Sequence, residues 1–154
     1  MGKQYTVPMV REETFKESMI KFRLKMAIES GKLRIRTPKK EYLKRAESSA
    51  KRLGDSFYVS ETDSQVLALA LQLREEGQEP IIATDDYSIQ NVADQMGIEF
   101  SPLSTLGIRF RLRWVRYCPA CYRRYPSEYD SDKCKVCGTQ LKRKPYEKEK
   151  IDME

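Results

Sequence analysis

Apolar positions recur at two different periods along this chain, and the switches between them outline the fold. Thr6-Val7-Pro8 leads into a short helix, Met9 to Phe15, with Pro8 near its first position and Glu12 and Glu13 in its first turns. From Ser18 to Ser30, Ile20, Leu24 and Ile28 stand four residues apart, and Gly31 ends the stretch. Leu33 to Thr37 predicts a short strand. Pro38 then opens a helix running to about Leu53, with Leu43, Ala46, Ala50 and Leu53 on one side. Thr62 to Glu76 predicts a helix that is apolar nearly all round (Val66, Leu67, Leu69, Leu71, Leu73) and therefore buried. Pro80 to Thr84 predicts a buried strand, Asp86 to Met96 a helix, and Gly97 to Phe100 a further short strand.

Strands that alternate with helices, and are apolar rather than two-faced, indicate a parallel α/β sheet flanked by helices. Ligands of such sheets bind at the carboxyl ends of the strands. There is no Gly-x-Gly-x-x-Gly and no phosphate-cradling Lys loop, so no nucleotide cofactor is expected. After residue 107 the pattern changes to period two. Ile108, Phe110, Leu112 and Trp114 share one face of an extended strand, and Arg109, Arg111 and Arg113 share the other. The expected domains are therefore 1–107 and a small basic module, 108–145, followed by a charged, disordered tail, 146–154. No apolar run reaches the ~18–20 residues that cross a bilayer, and no apolar core follows the basic start. A cytoplasmic chain with reduced cysteines and no membrane partner is expected.

All four cysteines lie in two Cys-x-x-Cys knuckles, Cys118/Cys121 and Cys134/Cys137. Each knuckle offers two thiolates from one tight turn, which is the donor set a tetrahedral Zn²⁺ requires. Gly138 lets the backbone turn back after the second pair, whereas the first pair has Tyr122 at that place. Disulfides and a redox pair explain the pattern poorly, and rubredoxin-like iron shares the spacing. Among so many Arg and Lys side chains a structural zinc ribbon is the expectation.

Charge refines this picture. The 154 residues carry a net +6, yet 1–52 carry +9, 53–108 carry −9 and 109–154 carry +6. An acidic centre between basic ends suits a bound polyanion and a cation, although solvated helix faces give the same profile. The chain has no histidine. That excludes hydrolases and ribonucleases built on an imidazole and leaves catalysis to carboxylates, Lys, Tyr, Cys or a metal held by oxygen or sulfur. Glu13, Asp63 and the pair Asp85-Asp86 all stand at element starts, the last just beyond an apolar strand. Converging acids can hold Mg²⁺ or Mn²⁺; Asp63 and Asp85 equally suit helix caps, and Glu13 a helix N-terminus. Arg109, Arg111, Arg113, Arg116, Arg123, Arg124, Lys142 and Arg143, interleaved with Tyr117, Tyr122 and Tyr125, form an RNA-binding composition, and a soluble basic surface is the plainer alternative.

At these residues the chain resembles the PIN-domain endoribonucleases, in the archaeal form that joins a PIN domain to a zinc ribbon and trims the 3′ end of small-subunit rRNA. The resemblance rests on Thr6-Val7-Pro8 to Glu13, Ser60-x-x-Asp63 leading into Val66 to Ala70, Thr84-Asp85-Asp86-Tyr87-Ser88-Ile89-Gln90-Asn91-Val92-Ala93, and both Cys knuckles, from Tyr5 to about Pro145. It implies that Glu13, Asp63 and Asp86 bind the divalent metal, Mg²⁺ or Mn²⁺, with Asp85 assisting. It also implies hydrolysis that leaves a 5′-phosphate and a 3′-hydroxyl. The implied partners are precursor small-subunit rRNA and assembly intermediates of the small ribosomal subunit. The family opens with a buried apolar strand ending in an essential Asp, ahead of the segment that matches Tyr5. Met1-Gly2-Lys3-Gln4 holds neither, so this polypeptide is expected to be poorly active or inactive and to expose apolar surface where that strand belongs. The alternative is a non-catalytic RNA- or ribosome-binding assembly factor whose acids cap helices. A toxin-type PIN nuclease and an iron electron carrier are less favoured.

Overall fold

The computed structural model describes residues 3–14, 18–55, 58–104, 110–126 and 128–150. Gln4–Thr6 (β1) runs parallel to Leu33–Ile35 (β2), and Ile81–Ala83 (β3) runs parallel to Glu99–Ser101 (β4). Parallel neighbours need crossovers, and helices supply them. Pro8–Thr14 (α1) and Ser18–Glu29 (α2) lie between β1 and β2, and Tyr87–Gln95 (α5) lies between β3 and β4. Lys40–Leu53 (α3) and Glu61–Glu75 (α4) join the two strand pairs in sequence.

α4 is buried nearly all round, as its composition predicts, because it serves two clusters at once. Leu67, Ala68, Ala70 and Leu71 pack with Ala46, Ala50 and Leu53 of α3 and with Val92 and Ala93 of α5. Leu69 and Leu73 turn the other way, onto Val7. Removing a fully buried side chain such as Leu67 leaves a void costing about 2–5 kcal/mol. Gln72 is the polar exception, and it is satisfied. Its Oε1 accepts from Lys39 N at 2.9 Å, and its Nε2 donates to Glu76 at 2.9 Å.

Two features of the sheet differ from expectation. Among the described residues the strands form two separate parallel pairs rather than one continuous sheet. β1 and β3 line a common groove of about 860 Å³, floored by Val66, Leu69 and Leu73 of α4. The strand expected to be buried at 80–84 therefore buries only Ile82; Ile81 is 61% exposed because it faces this groove.

The C-terminal module is antiparallel. Phe110–Tyr117 (β5) lies between Arg124–Tyr125 (β6) and Lys142–Lys150 (β7). The β5–β7 register slips between Arg113 and Trp114, where the partner jumps from Glu147 to Pro145, a residue with no N–H to place in a ladder. The tail expected to be disordered from 146 instead pairs with β5 as far as Lys150. Cross-strand charge explains the extension, because Glu147 and Glu149 meet Arg113 and Arg111. Ile108, Arg109 and residues 151–154 lie outside the described residues. No helix among the described residues is long and apolar enough to cross a membrane.

Candidate active site and zinc module

The two knuckles are built alike. Tyr122 N donates to Cys118 O and Gly138 N to Cys134 O, at 2.9 and 2.8 Å, which closes each turn. Closure puts the residue after each pair in the left-handed region, Gly138 at φ 71° and Tyr122 at φ 59°. Glycine adopts this conformation freely, whereas tyrosine is strained in it. The four Sγ atoms lie within 4.8 Å of one another, with Cys118 and Cys134 buried and Cys121 and Cys137 exposed. Cys118–Cys137 and Cys121–Cys134 sulfur separations are 3.4 and 3.6 Å. Zn–S bonds of about 2.3 Å place tetrahedral sulfurs about 3.8 Å apart, so this set fits zinc with small adjustment. Tyr125, buried beside the set, donates its hydroxyl to Cys134 Sγ at 2.9 Å. That bond holds the Cys134 thiol down to about 5 and pushes the Tyr125 hydroxyl up to about 12.

The carboxylates stand where strands and helices meet. Glu13, carried by α1 just past β1, accepts from the hydroxyl of Thr62 at 2.6 Å, which ties it to the first turn of α4. Asp63 occupies the same turn and forms a capping box with Ser60. Ser60 N and Oγ donate to Asp63 Oδ2 at 2.9 and 2.7 Å, and Asp63 N returns a bond to Ser60 Oγ. Asp86 caps α5 through Oδ1, accepting from Ser88 N at 2.7 Å and Ile89 N at 3.3 Å. Asp85 clamps the chain beyond β4, accepting from Leu103 N and from the amide and hydroxyl of Ser104.

The cap expected at Asp63 is thus visible in the hydrogen bonds, and Asp86 is a cap as well. Asp85, expected to cap a helix, holds a loop instead, because the cap position belongs to Asp86. Glu13 and Asp63 are neighbours through Thr62, while Asp86 stands at the end of β3. No three carboxylates among the described residues bring an oxygen each within 4.8 Å of one another; the cysteines alone do so. The convergence expected of Glu13, Asp63 and Asp86 is therefore not seen at that separation.

The basic residues divide. Arg123, Arg124 and Lys142 are exposed. Arg111 is held by Asp94 and Glu149, and Arg113 by Glu147. Arg116 is 8% exposed and donates to Ser131 O at 2.7 Å. Arg143 reaches into the body, donating to Asp55 Oδ1 at 2.6 Å while its guanidinium lies 3.4 Å from the Tyr58 ring centre and 4.1 Å from that of Trp114. Arg109 lies outside the described residues. Sequence reasoning missed Asp55, whose carboxylate is 1% exposed and accepts from Asn91 Nδ2 at 2.7 Å as well. The one available signal was an acid directly after the helix-ending Gly54.

Comparison with known proteins gives a consistent result. A family model described as "PIN domain of ribonuclease" matches residues 1–73. The chain is 39% identical over 143 residues to "Endoribonuclease Nob1" of Methanocaldococcus jannaschii, covering 93% of this chain and 68% of that protein. It is 39% identical over 144 residues to "Endoribonuclease Nob1" of Methanothermobacter thermautotrophicus, covering 92% and 82%. It is 38% identical over 118 residues to "Ribonuclease VapC1" of Thermoplasma acidophilum, covering 77% and 57%.

Proposed function

The chain belongs to the PIN-domain ribonuclease family of the Nob1 endoribonucleases, and from that premise we propose that it is an endoribonuclease that matures the 3′ end of small-subunit rRNA. The observation that carries this reading is the set of carboxylates Glu13, Asp63 and Asp86, each fixed by a hydrogen bond to one of its oxygens. Such fixed acids are ready to act without reorganising. The substrate in this reading is precursor rRNA within an assembling small subunit, and the setting is the cytoplasm.

Glu13, Asp63 and Asp86 would hold Mg²⁺ or Mn²⁺, with Asp85 in support, and such an ion supplies water activation and charge neutralisation at phosphorus. Ser60 and Thr62 hold Asp63 and Glu13 by hydrogen bonds at the start of α4. The Ser88 and Ile89 amides donate to Asp86 Oδ1 at the start of α5, which fixes that oxygen. No histidine is available as a base, so the proton of the attacking water passes to solvent or to a carboxylate. The exposed Arg123, Arg124 and Lys142 bind RNA phosphates, and the zinc ribbon holds the strands that carry them. Arg111 and Arg143 are less suited to that role, because their guanidinium groups already have carboxylate partners.

The capping bonds of Asp63 and Asp86 favour a second reading, a non-catalytic RNA- or ribosome-binding assembly factor. Asp86→Asn, made in a chain that also carries the family's opening strand and its Asp, separates the two, because Asn caps a helix about as well as Asp but lacks the charge. The proposal expects an unchanged melting temperature and a loss of roughly 100-fold or more in cleavage of a precursor 3′-end RNA, with RNA affinity retained. Cleavage at the parental rate by this variant refutes the role of Asp86.

A further inference from the structure

The junction between the α/β body and the zinc module is polar at its centre, which is unusual enough to need a reason. Asp55 follows the left-handed Gly54 that ends α3, and both its oxygens are occupied. Oδ1 accepts from Arg143 at 2.6 Å and Oδ2 from Asn91 at 2.7 Å. Arg143 comes from β7, 88 residues away, and its guanidinium lies between the rings of Tyr58 and Trp114. Asn91 comes from α5, and its amide makes two further bonds to the backbone of β5. Nδ2 donates to Leu112 O at 3.0 Å, and Leu112 N donates to Oδ1 at 2.9 Å. The amide thus satisfies Leu112 on both sides, as a neighbouring strand would. Three residues later on the same helix, Asp94 takes the guanidinium of Arg111.

We propose that Asp55 is a positioning residue for Asp86: with Arg143 and Asn91 it clamps α5 against β5 and β7, so that the zinc module fixes the helix end on which Asp86 stands. The helix makes the link direct. Asp86 caps α5 and Asn91 lies five residues on, about 7.5 Å along a rigid rod. An apolar contact could hold the two parts together but would let α5 rotate or slide. A buried carboxylate tolerates only the arrangement in which both donors reach it, because losing either leaves a desolvated charge. Burial pushes the Asp55 carboxyl up, and the two donors oppose this. In this arrangement the ribbon contributes to catalysis mechanically as well as by holding RNA.

The catalytic half of this inference rests on the nuclease reading above; the mechanical half does not, and the test separates them. Asp55→Asn keeps shape and removes the charge, and Arg143→Lys keeps charge and removes the planar fork. Hydrogen exchange in the zinc-loaded chain is read at the Ser88 and Ile89 amides, which bond Asp86, and at the Leu67 to Leu71 amides of α4 as an internal reference. The expected result for Asp55→Asn is a drop of about tenfold or more in protection at Ser88 and Ile89 relative to α4. Zinc content should stay at one per chain and RNA affinity within about twofold. Arg143→Lys should show the same selective loss to a smaller degree, and it decides the question if Asp55→Asn does not fold. Cleavage should fall in kcat with little change in KM. Unchanged protection at Ser88 and Ile89, or an equal fall at α4, overturns the proposal whatever the activity. Selective loss of protection in a chain that cleaves no RNA even with the family's opening strand and its Asp supplied refutes the nuclease reading and leaves the clamp standing.

Discussion

Gly54 offers the sharpest test of how the zinc module is seated. Its φ of 77° lies in the left-handed region, where an alanine costs about 1 kcal/mol more than glycine. A Cβ there would also stand 2.8 Å from Trp114 O and 3.0 Å from Trp114 Cβ, both anchored to β5. Neither neighbour can rotate away, so α3 and β5 must separate, and strain of this kind costs about 1–3 kcal/mol. Gly54→Ala should therefore cost about 2–4 kcal/mol. Gly31 supplies the control: φ is 71°, and nothing lies within 4 Å of its Cβ position. Gly31→Ala should cost only the backbone part, about 1 kcal/mol. For a chain of this size the difference corresponds to roughly 3–10 °C in Tm. Urea unfolding is well suited to the measurement, because the chain has one tryptophan and it is the residue in contact. Equal losses in the two variants, within about 0.5 kcal/mol, would show that β5 does not press on Gly54 and would refute the seating described here.

Two further predictions concern separate parts of the molecule. Tyr122 is 78% exposed and held at φ 59°, so Tyr122→Gly relieves strain while removing little contact. It should stabilise the zinc-loaded ribbon by about 0.5–1 kcal/mol and slow zinc loss to a chelator, and faster loss would count against the strain. Glu76 is held down to about 2 from an ordinary value of 4.5, chiefly by its hydrogen bonds from Arg36. A depressed carboxylate contributes stability that is complete above about pH 4.5 and is lost as pH falls toward 2. The Tm gap between the parent and Glu76→Gln should close across that interval, and a gap independent of pH would remove the ionised pair from the explanation.

Much of this was legible in the residues because each signal had a single local cause. The four cysteines meet as their spacing requires, and α4 is buried as its composition requires. The misreadings came from partners distant in sequence. Residues 146–150 look like a solvated tail until β5 is alongside, when Glu147 and Glu149 become the counter-charges of Arg113 and Arg111. The same pairing changes the arginine row, which reads as an open phosphate-binding face in isolation. Arg143 is the extreme case, since nothing near it in sequence shows that its partner is Asp55. Ile81 looks like a core residue because it is apolar and stands next to Ile82, but the edge of β3 carries no neighbour among the described residues.

The stretch from Thr84 to Asn91 shows why sequence and site agree as far as they do. Its residue types suggest chemistry, yet most of its polar groups have a mechanical duty. Thr84 Oγ1 accepts from Asp86 N at 3.1 Å, and Gln90 Nε2 donates to Thr84 O at 2.8 Å, so the strand end and the first turns of α5 are tied together. Asp85 holds the loop after β4, and Asn91 holds β5 and Asp55. Within that frame Asp86 Oδ1 accepts from the Ser88 and Ile89 amides. Capping is the role of Asp86 that its hydrogen bonds show. The cap fixes one oxygen of that carboxylate, and Thr84 and Gln90 hold the same turn of α5 from the strand side.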